Sequence, residues 1–449
     1  MSLPSSAAQY GNITKFSVFS NYTGKEIDIR GGLASFKYYE SIMDNTVRVQ
    51  ANIVDGGVEV GSEDSAAKIE YPQSLTVGEK CLISIEDGYG QEINLLDEYH
   101  LRVKNTSNSM SNALSSFYTL NLWSEESIKN YEVSRRVVGK FEGKVSDTVL
   151  RILRLDLETE KEVFIDSTLN ELVVYGERKK PLAKVHELAA RSVPDIPDAT
   201  GLRAGYLFYQ NSLGYYFRSI DKLFTQQPAR RFIHNNTTGL PEGYHAKILA
   251  YNFNSFVDLE SKLIDGSMFE SEVISFNTFN SEYKGEEQNL FDARKQTEDE
   301  EFTGGEDQIK IADDLELGST RTDFRTRDVG ISNPGNTLEK QLEESTRDNY
   351  DVDTILRQSR TRYGNLFTVS MSITIPGDFG LHCGELVHVA LAEQSTSKTI
   401  QESQRNSGIY MIVDLCHYID SNPAATGTNG NCYTRLNLVR DTFGKKTTT

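Results

Sequence analysis

The chain has 449 residues, 38% of them hydrophobic and 25% charged, and its 65 acidic and 47 basic side chains leave a net charge of -18. That length exceeds the roughly 250 to 300 residues at which one core stops growing, so three or four domains are expected. The acid excess opposes broad contact with nucleic acid phosphates, and no apolar run approaches the roughly 20 residues of a membrane-spanning helix.

The opening "MSLPSSAAQYGNITKF" lacks a basic region followed by an apolar stretch, so no secretory signal is expected and synthesis is expected in the cytoplasm. From Gly11 to Ser124 the chain reads as one all-β unit. Ala34, Phe36 and Tyr38 alternate inward, as do Val47, Val49, Ala51 and Ile53, with a polar link containing Asn45 between the two runs. The next hundred residues mix helix and short strand. "SDTVLRILRLDL" offers Ser146 or Asp147 as a cap before Val149, Leu150 and Leu153. "KPLAKVHELAARSVP" places Pro181 in a first turn, Leu182, Val185 and Leu188 on one face, and Pro194 as the stop. The stretch "GYLFYQNSLGYYFRSIDKLF" predicts a hairpin with "NSLG" as a four-residue link. With Gln210 opposite Tyr215, Phe208 faces Phe217 and Tyr209 faces Tyr216, so aromatics pair on both sides of the ribbon.

Strand patterns return from Phe232 to about Ser281. Glu282 to Asn336 is acidic and poor in apolar periodicity, the composition of an extended or mobile insertion. A helix is expected next, marked by Leu338, Leu342 and Ile355, and three alternating stretches close the chain. The fold class read from this order is α+β, mostly β.

Motifs with catalytic or metal chemistry fail on spacing. "HELAA" puts Ala190 where a second zinc ligand would stand, so His186 reads as a helix-surface histidine. "GKFEGKVS" is one residue short of a phosphate loop and carries Val145 in place of the hydroxyl, which leaves Lys144 as a solvated residue. His382 and His388 fall on one face of a predicted strand with Glu385 on the other, a poor cage for a divalent ion. Asp351 and Asp353 lack the glycine and distal glutamate of a calcium loop. Cys81, Cys383, Cys416 and Cys432 form no paired motif and read as buried reduced thiols. The aromatic hairpin offers only Arg218 and Lys222 as cations, so it reads as a structural ribbon and not a nucleic-acid platform. No catalytic, cofactor-binding or metal-binding residues are assigned, and no cofactor is expected.

The order of segments and two local patterns resemble baseplate hub proteins of contractile-tailed phages. The aromatic hairpin is similar to the one preceding their second barrel. "ITIPGDFGLHCGELVHVAL", "GIYMIVDLCHYID" and "TRLNLVRDTF" are similar to their closing strands, with Gly377, Gly384, Tyr410, Val413 and His417 in matching positions. Tyr39, Glu40 and Ser41 sit as in the opening strands of the first barrel. The resemblance implies two tail-tube-like β-barrels, 1–124 and 226–281 with 360–443. Between them lies a mixed α/β domain, 125–225, and the second barrel carries an acidic insertion with a helix, 282–359, before a flexible tail, 444–449. It implies a non-enzymatic homotrimer whose six barrels join the sixfold tail tube to a threefold central spike. The implied partners are a separate spike protein on one face, tube or tube-initiator and tape measure proteins on the other, and wedge proteins around. DNA would pass through the channel without specific binding, and the location would be the virion tail baseplate, assembled in the host cytoplasm. Two rival readings are a tail-associated peptidoglycan hydrolase and a receptor- or carbohydrate-binding tail module.

Overall fold

The structure, a computed structural model, describes residues 9–21, 24–55, 75–111, 116–196, 203–235, 239–255, 270–277, 282–289, 326–329, 352–392, 403, 406–420 and 429–441. Strands dominate and helices are few, so the fold is α+β and mostly β.

The first region contains β1 (Gln9–Phe19), β2 (Glu26–Asp28), β3 (Leu33–Ser41), β4 (Arg48–Asp55), β5 (Lys80–Asp87), β6 (Glu92–Leu95), β7 (Leu101–Ser111) and β8 (Ser116–Ser124). Alternation works as read along most of it: Phe36 and Tyr38 are fully buried, as are Val49, Ala51 and Ile53 on the neighbouring strand. Ala34 departs from the pattern. A register shift between Leu33 and Ser35 turns Leu33 inward and leaves Ala34 half-buried.

The middle region holds α1 (Glu125–Lys129), β9 (Lys140–Lys144), α2 (Val145–Arg151), β10 (Val163–Ile165), β11 (Glu171–Tyr175), α3 (Pro181–Ala189), β12 (Tyr206–Asn211), β13 (Gly214–Ser219) and α4 (Ile220–Phe224). A π-helical turn, Ile152–Asp156, extends α2. Helix α2 starts at Val145, before the expected caps, and Lys144 precedes it in extended conformation without a side-chain cap. The amide of Ser146 finds its acceptor elsewhere, at 3.1 Å from the hydroxyl of Thr168. On this helix Val149 and Leu153 are buried, whereas Leu150 lies off the apolar face and is 42% exposed. Helix α3 begins with Pro181 and buries Leu182, Val185 and Leu188, as its spacing predicts. Strand β9 pairs with β11, and β10 joins β13 in parallel.

The last region contains β14 (Arg230–His234), β15 (Ala246–Lys247), β16 (Ala250–Ser255), β17 (Glu270–Asn277), β18 (Glu282–Asn289), β19 (Thr326–Val329), α5 (Val352–Leu366), β20 (Val369–Pro376), β21 (Leu386–Leu391), β22 (Gly408–Asp420) and β23 (Asn429–Arg440). Strand β17 pairs with β18 and β19 in a small sheet of its own. Regular strands therefore occur inside the stretch read as an extended insertion. Of the marks expected for the helix after it, Ile355 is buried on α5, while Leu338 and Leu342 fall outside the described residues.

Strand pairing closes on itself twice. One circuit runs β3, β4, β8, β7, β5, β1, β23, β22 and back to β3, with every link antiparallel. The other runs from β22 through β23 and β20 to β16, continues through Ile248 and Leu249 into β15, and returns by β14 and β21. Strands β22 and β23 belong to both circuits. One apolar cluster fills the interior of both circuits, joining Phe16, Ile83 and Leu120 to Ile373, Val389 and Leu436.

Candidate functional site

The aromatic hairpin has the register its sequence predicts: Gln210 opposite Tyr215, Phe208 opposite Phe217 and Tyr209 opposite Tyr216. Its link is shorter than expected, because Asn211 and Gly214 themselves pair and only Ser212 and Leu213 turn the chain. Gly214 has φ +149°, and a Cβ there would overlap the backbone of Glu162. Rings stack as well as oppose: Tyr209 lies 5.2 Å from Tyr216 at 4° between planes, and Phe208 lies 5.6 Å from Tyr215 at 5°. One face, with Tyr206, Phe208, Tyr215 and Phe217, packs into the core formed by α2 and α3. The other, with Leu207 and Tyr209, packs against Cys383, Leu386, Met411 and Val413 of the strand circuits. The two cations of the hairpin stretch are engaged by Asp166, Arg218 at 3.1 Å and Lys222 at 3.4 Å. The ribbon therefore joins the middle region to the strand circuits.

At the hairpin tip the chain builds a buried polar junction around Glu40. This carboxylate is 2% exposed. It accepts from the Tyr38 hydroxyl at 2.8 Å, the Ser212 amide at 3.1 Å and the Cys383 amide at 3.0 Å, and it faces Nδ1 of His382 at 3.2 Å. Three segments distant in sequence, β3, the hairpin turn and the loop before β21, thus share one charge. Burial alone would raise the Glu40 pKa, but His382 beside it and the donated hydrogen bonds hold it below its ordinary value. Burial would likewise lower His382, but Glu40 raises it above the usual histidine value. Each partner therefore favours the charged form of the other.

His382 is not on a strand. It sits with Glu385 in the turn before β21, where the Glu385 carboxylate accepts the His382 amide at 3.1 Å, and His388 alone of the three is on the strand. Gly384 has φ +85°, and a Cβ there would overlap the ring of Tyr209, so this turn needs glycine twice over. A Cβ at Gly377 would overlap the Cys432 thiol. Tyr410 is buried with its hydroxyl on the Asn406 carbonyl at 2.7 Å, and the Val413 carbonyl accepts the Ile42 amide at 2.9 Å. His417 is fully buried, 2.8 Å from the Thr434 hydroxyl, and burial pushes its pKa down to about 4. These residues of the closing-strand pattern are packing positions.

The remaining residues singled out in sequence lie apart from one another. His186 is exposed on α3, edge-on to Phe208 at 5.4 Å, and Lys144 pairs with Asp195 at 3.2 Å. Asp353 lies on α5 and Asp351 falls outside the described residues. Cys81, Cys383 and Cys432 are buried, Cys416 is half-buried, and all are free thiols. Among the described residues, no group of three or more His, Cys, Asp or Glu side chains is placed to hold a metal ion. Two buried ion pairs carried no signal in the sequence: Lys161 with Glu126 at 2.6 Å and Arg362 with Asp221 at 2.6 Å.

No protein-family model matches the chain, and no curated protein is significantly similar to it. Solved structures are similar. A tail protein from Neisseria meningitidis MC58 has a TM-score of 0.53 and 10% identity over 96% of this chain and 97% of that one. A 43 kDa tail protein of prophage MuSo2 from Shewanella oneidensis has a TM-score of 0.52 and 11% identity over 96% of this chain and 99% of that one. The fold of the chain, from β1 to β23, is the fold of these tail proteins.

Proposed function

We propose that the chain is a structural, non-enzymatic hub of a phage tail baseplate. In this reading three copies form a ring that joins a sixfold tail tube to a threefold central spike, and the ring lines part of the DNA channel. The observation that carries the reading is the pair of closed strand circuits in one polypeptide. Two such tube-like modules per chain give a threefold assembly six of them, which is the geometry a sixfold tube requires. In this reading the first circuit is the barrel expected at 1–124, completed by β22 and β23, and the second is the barrel expected at 226–281 with 360–443, without β17, which pairs in a small sheet of its own. The tail-protein fold and the acid excess support the same reading, because like charge keeps DNA phosphates from sticking to the wall. A spike protein would bind one face, tube or tube-initiator and tape measure proteins the other, and wedge proteins the rim, in a virion assembled in the host cytoplasm.

Native mass spectrometry of the purified chain, alone and with neighbouring tail proteins, tests this. A trimer that gains a spike or tube partner is expected, with more than about 2,000 Å² buried at each subunit interface, as in permanent assemblies. A monomer indifferent to those partners overturns the proposal.

A further inference from the structure

A concave saddle of about 770 Å³ lies on the outer face of β3, β22, β23 and β20, where the two circuits share strands. Register places its side chains in rows across the sheet. Tyr39, Cys416, Arg435 and Thr374 form one row, and Lys37, Tyr418 and Tyr433 form the next. Asp414 on this face accepts from Asn437 at 3.2 Å, and Arg48 at its margin is paired with Asp44 at 3.1 Å. Lys37 and Arg435 are different. Among the described residues no carboxylate reaches ion-pair distance of either, and Lys37 lies only over the Tyr418 ring, 5.7 Å from its centroid. Lys37 and Arg435, with no carboxylate at ion-pair distance among the described residues, share the depression with three tyrosine rings and an amide, while Glu40 lies buried beneath it.

We propose that this saddle is a docking groove for an extended acidic segment of a partner protein. The four strands span about 15 Å, which seats four or five extended residues. Carboxylates of such a segment would meet Lys37 and Arg435, apolar or aromatic side chains would lie on Tyr39, Tyr418 and Tyr433, and its backbone would meet Thr374 and Asn437. Nucleic acid fits less well. Contacts from Lys37 and Arg435 alone give a counterion-release slope of only about -2, too little to offset repulsion from the rest of the chain. A short peptide needs just those two charges and uses the rings and the amide as well. The inference is independent of the ring proposed above, so a failed trimer leaves it standing.

The test uses the full chain and a fluorescein-labelled decapeptide of Asp, Glu and Phe carrying a photo-crosslinking residue. Fluorescence anisotropy is expected to show saturable binding that weakens about fivefold in each of K37E and R435E, with thermal midpoints unchanged. A decapeptide with Lys in place of the acids is expected not to bind. Crosslinks mapped by mass spectrometry are expected at Tyr39, Tyr418 or Tyr433. Absence of saturable binding, equal binding by the variants, or crosslinks confined to other surfaces overturns the proposal. So does a DNA oligonucleotide of equal charge that binds as tightly and is lost in the same variants, since that result assigns the saddle to nucleic acid.

Discussion

Glu40 and His382 make stability depend on pH in a definite direction. The Glu40 pKa in the folded chain lies below its ordinary 4.5, so its contribution is present above pH 4.5 and is lost as pH falls through the lowered value. The His382 pKa lies above its ordinary 6.5, so its contribution is full below pH 6.5 and is lost as pH rises through the raised value. The two overlap between about pH 4.5 and 6.5. Replacing Glu40→Gln leaves a buried imidazolium without its counter-charge, and a loss of ~3–5 kcal/mol is expected. Thermal midpoints of wild type and E40Q across pH should differ most inside that window; a constant difference from pH 3 to 9 would contradict the pairing. Glu40 and His382 both stood out in the sequence, but separately. Nothing local tells a carboxylate which histidine it meets when 343 positions separate Glu40 from the Cys383 amide it also holds. The "HCGEL" stretch also hides its turn, because alternation reads through Gly384, whose φ of +85° breaks the strand.

At the scale of elements, local patterning was a good guide wherever one face of a ribbon or helix is buried. The hairpin register and the apolar face of α3 follow from spacing alone. Phe217→Ala, at a fully buried position 4.8 Å from the Tyr206 ring, is expected to cost ~3–5 kcal/mol, readable as a lower midpoint in urea. Gly214→Ala should cost more than the ~1 kcal/mol typical of a strained backbone, because the new methyl also meets the Glu162 carbonyl. An alanine variant as stable as wild type would show that the turn can relax. The start of α2 was misread for a physical reason: the hydroxyl of Thr168, brought in by tertiary structure, accepts the Ser146 amide that a local cap would otherwise satisfy. Lys161 with Glu126 was equally out of reach, since two charged residues in a polar stretch look solvated until the fold buries them.

For the whole molecule, strand content was legible and circuit closure was not. The alternation from Gly11 to Ser124 ends where β8 ends, yet the strands that complete its ring, β22 and β23, lie near the other end of the chain. Hydrophobic period gives each strand its inward face but carries no information on a distant neighbour. A fragment of residues 1–124 is therefore expected to remain unfolded, with an unpaired edge on β1 and another on β3. Its amide spectrum should show little dispersion, whereas a well-dispersed spectrum would mean that the first strands close without help. The full chain is expected to lose both circuits in one calorimetric transition, because removing β22 or β23 opens each of them.

The antiparallel contact of β1 with β23 also sets a timetable. A ribosome exposes the first strands long before it makes the last, and for that interval their edges have no native neighbour to bond. Such delayed closure favours slow folding and sticky intermediates. Chaperone dependence should accordingly concentrate in the period before β22 and β23 emerge, and their docking on β1 and β3 should be the event that ends it.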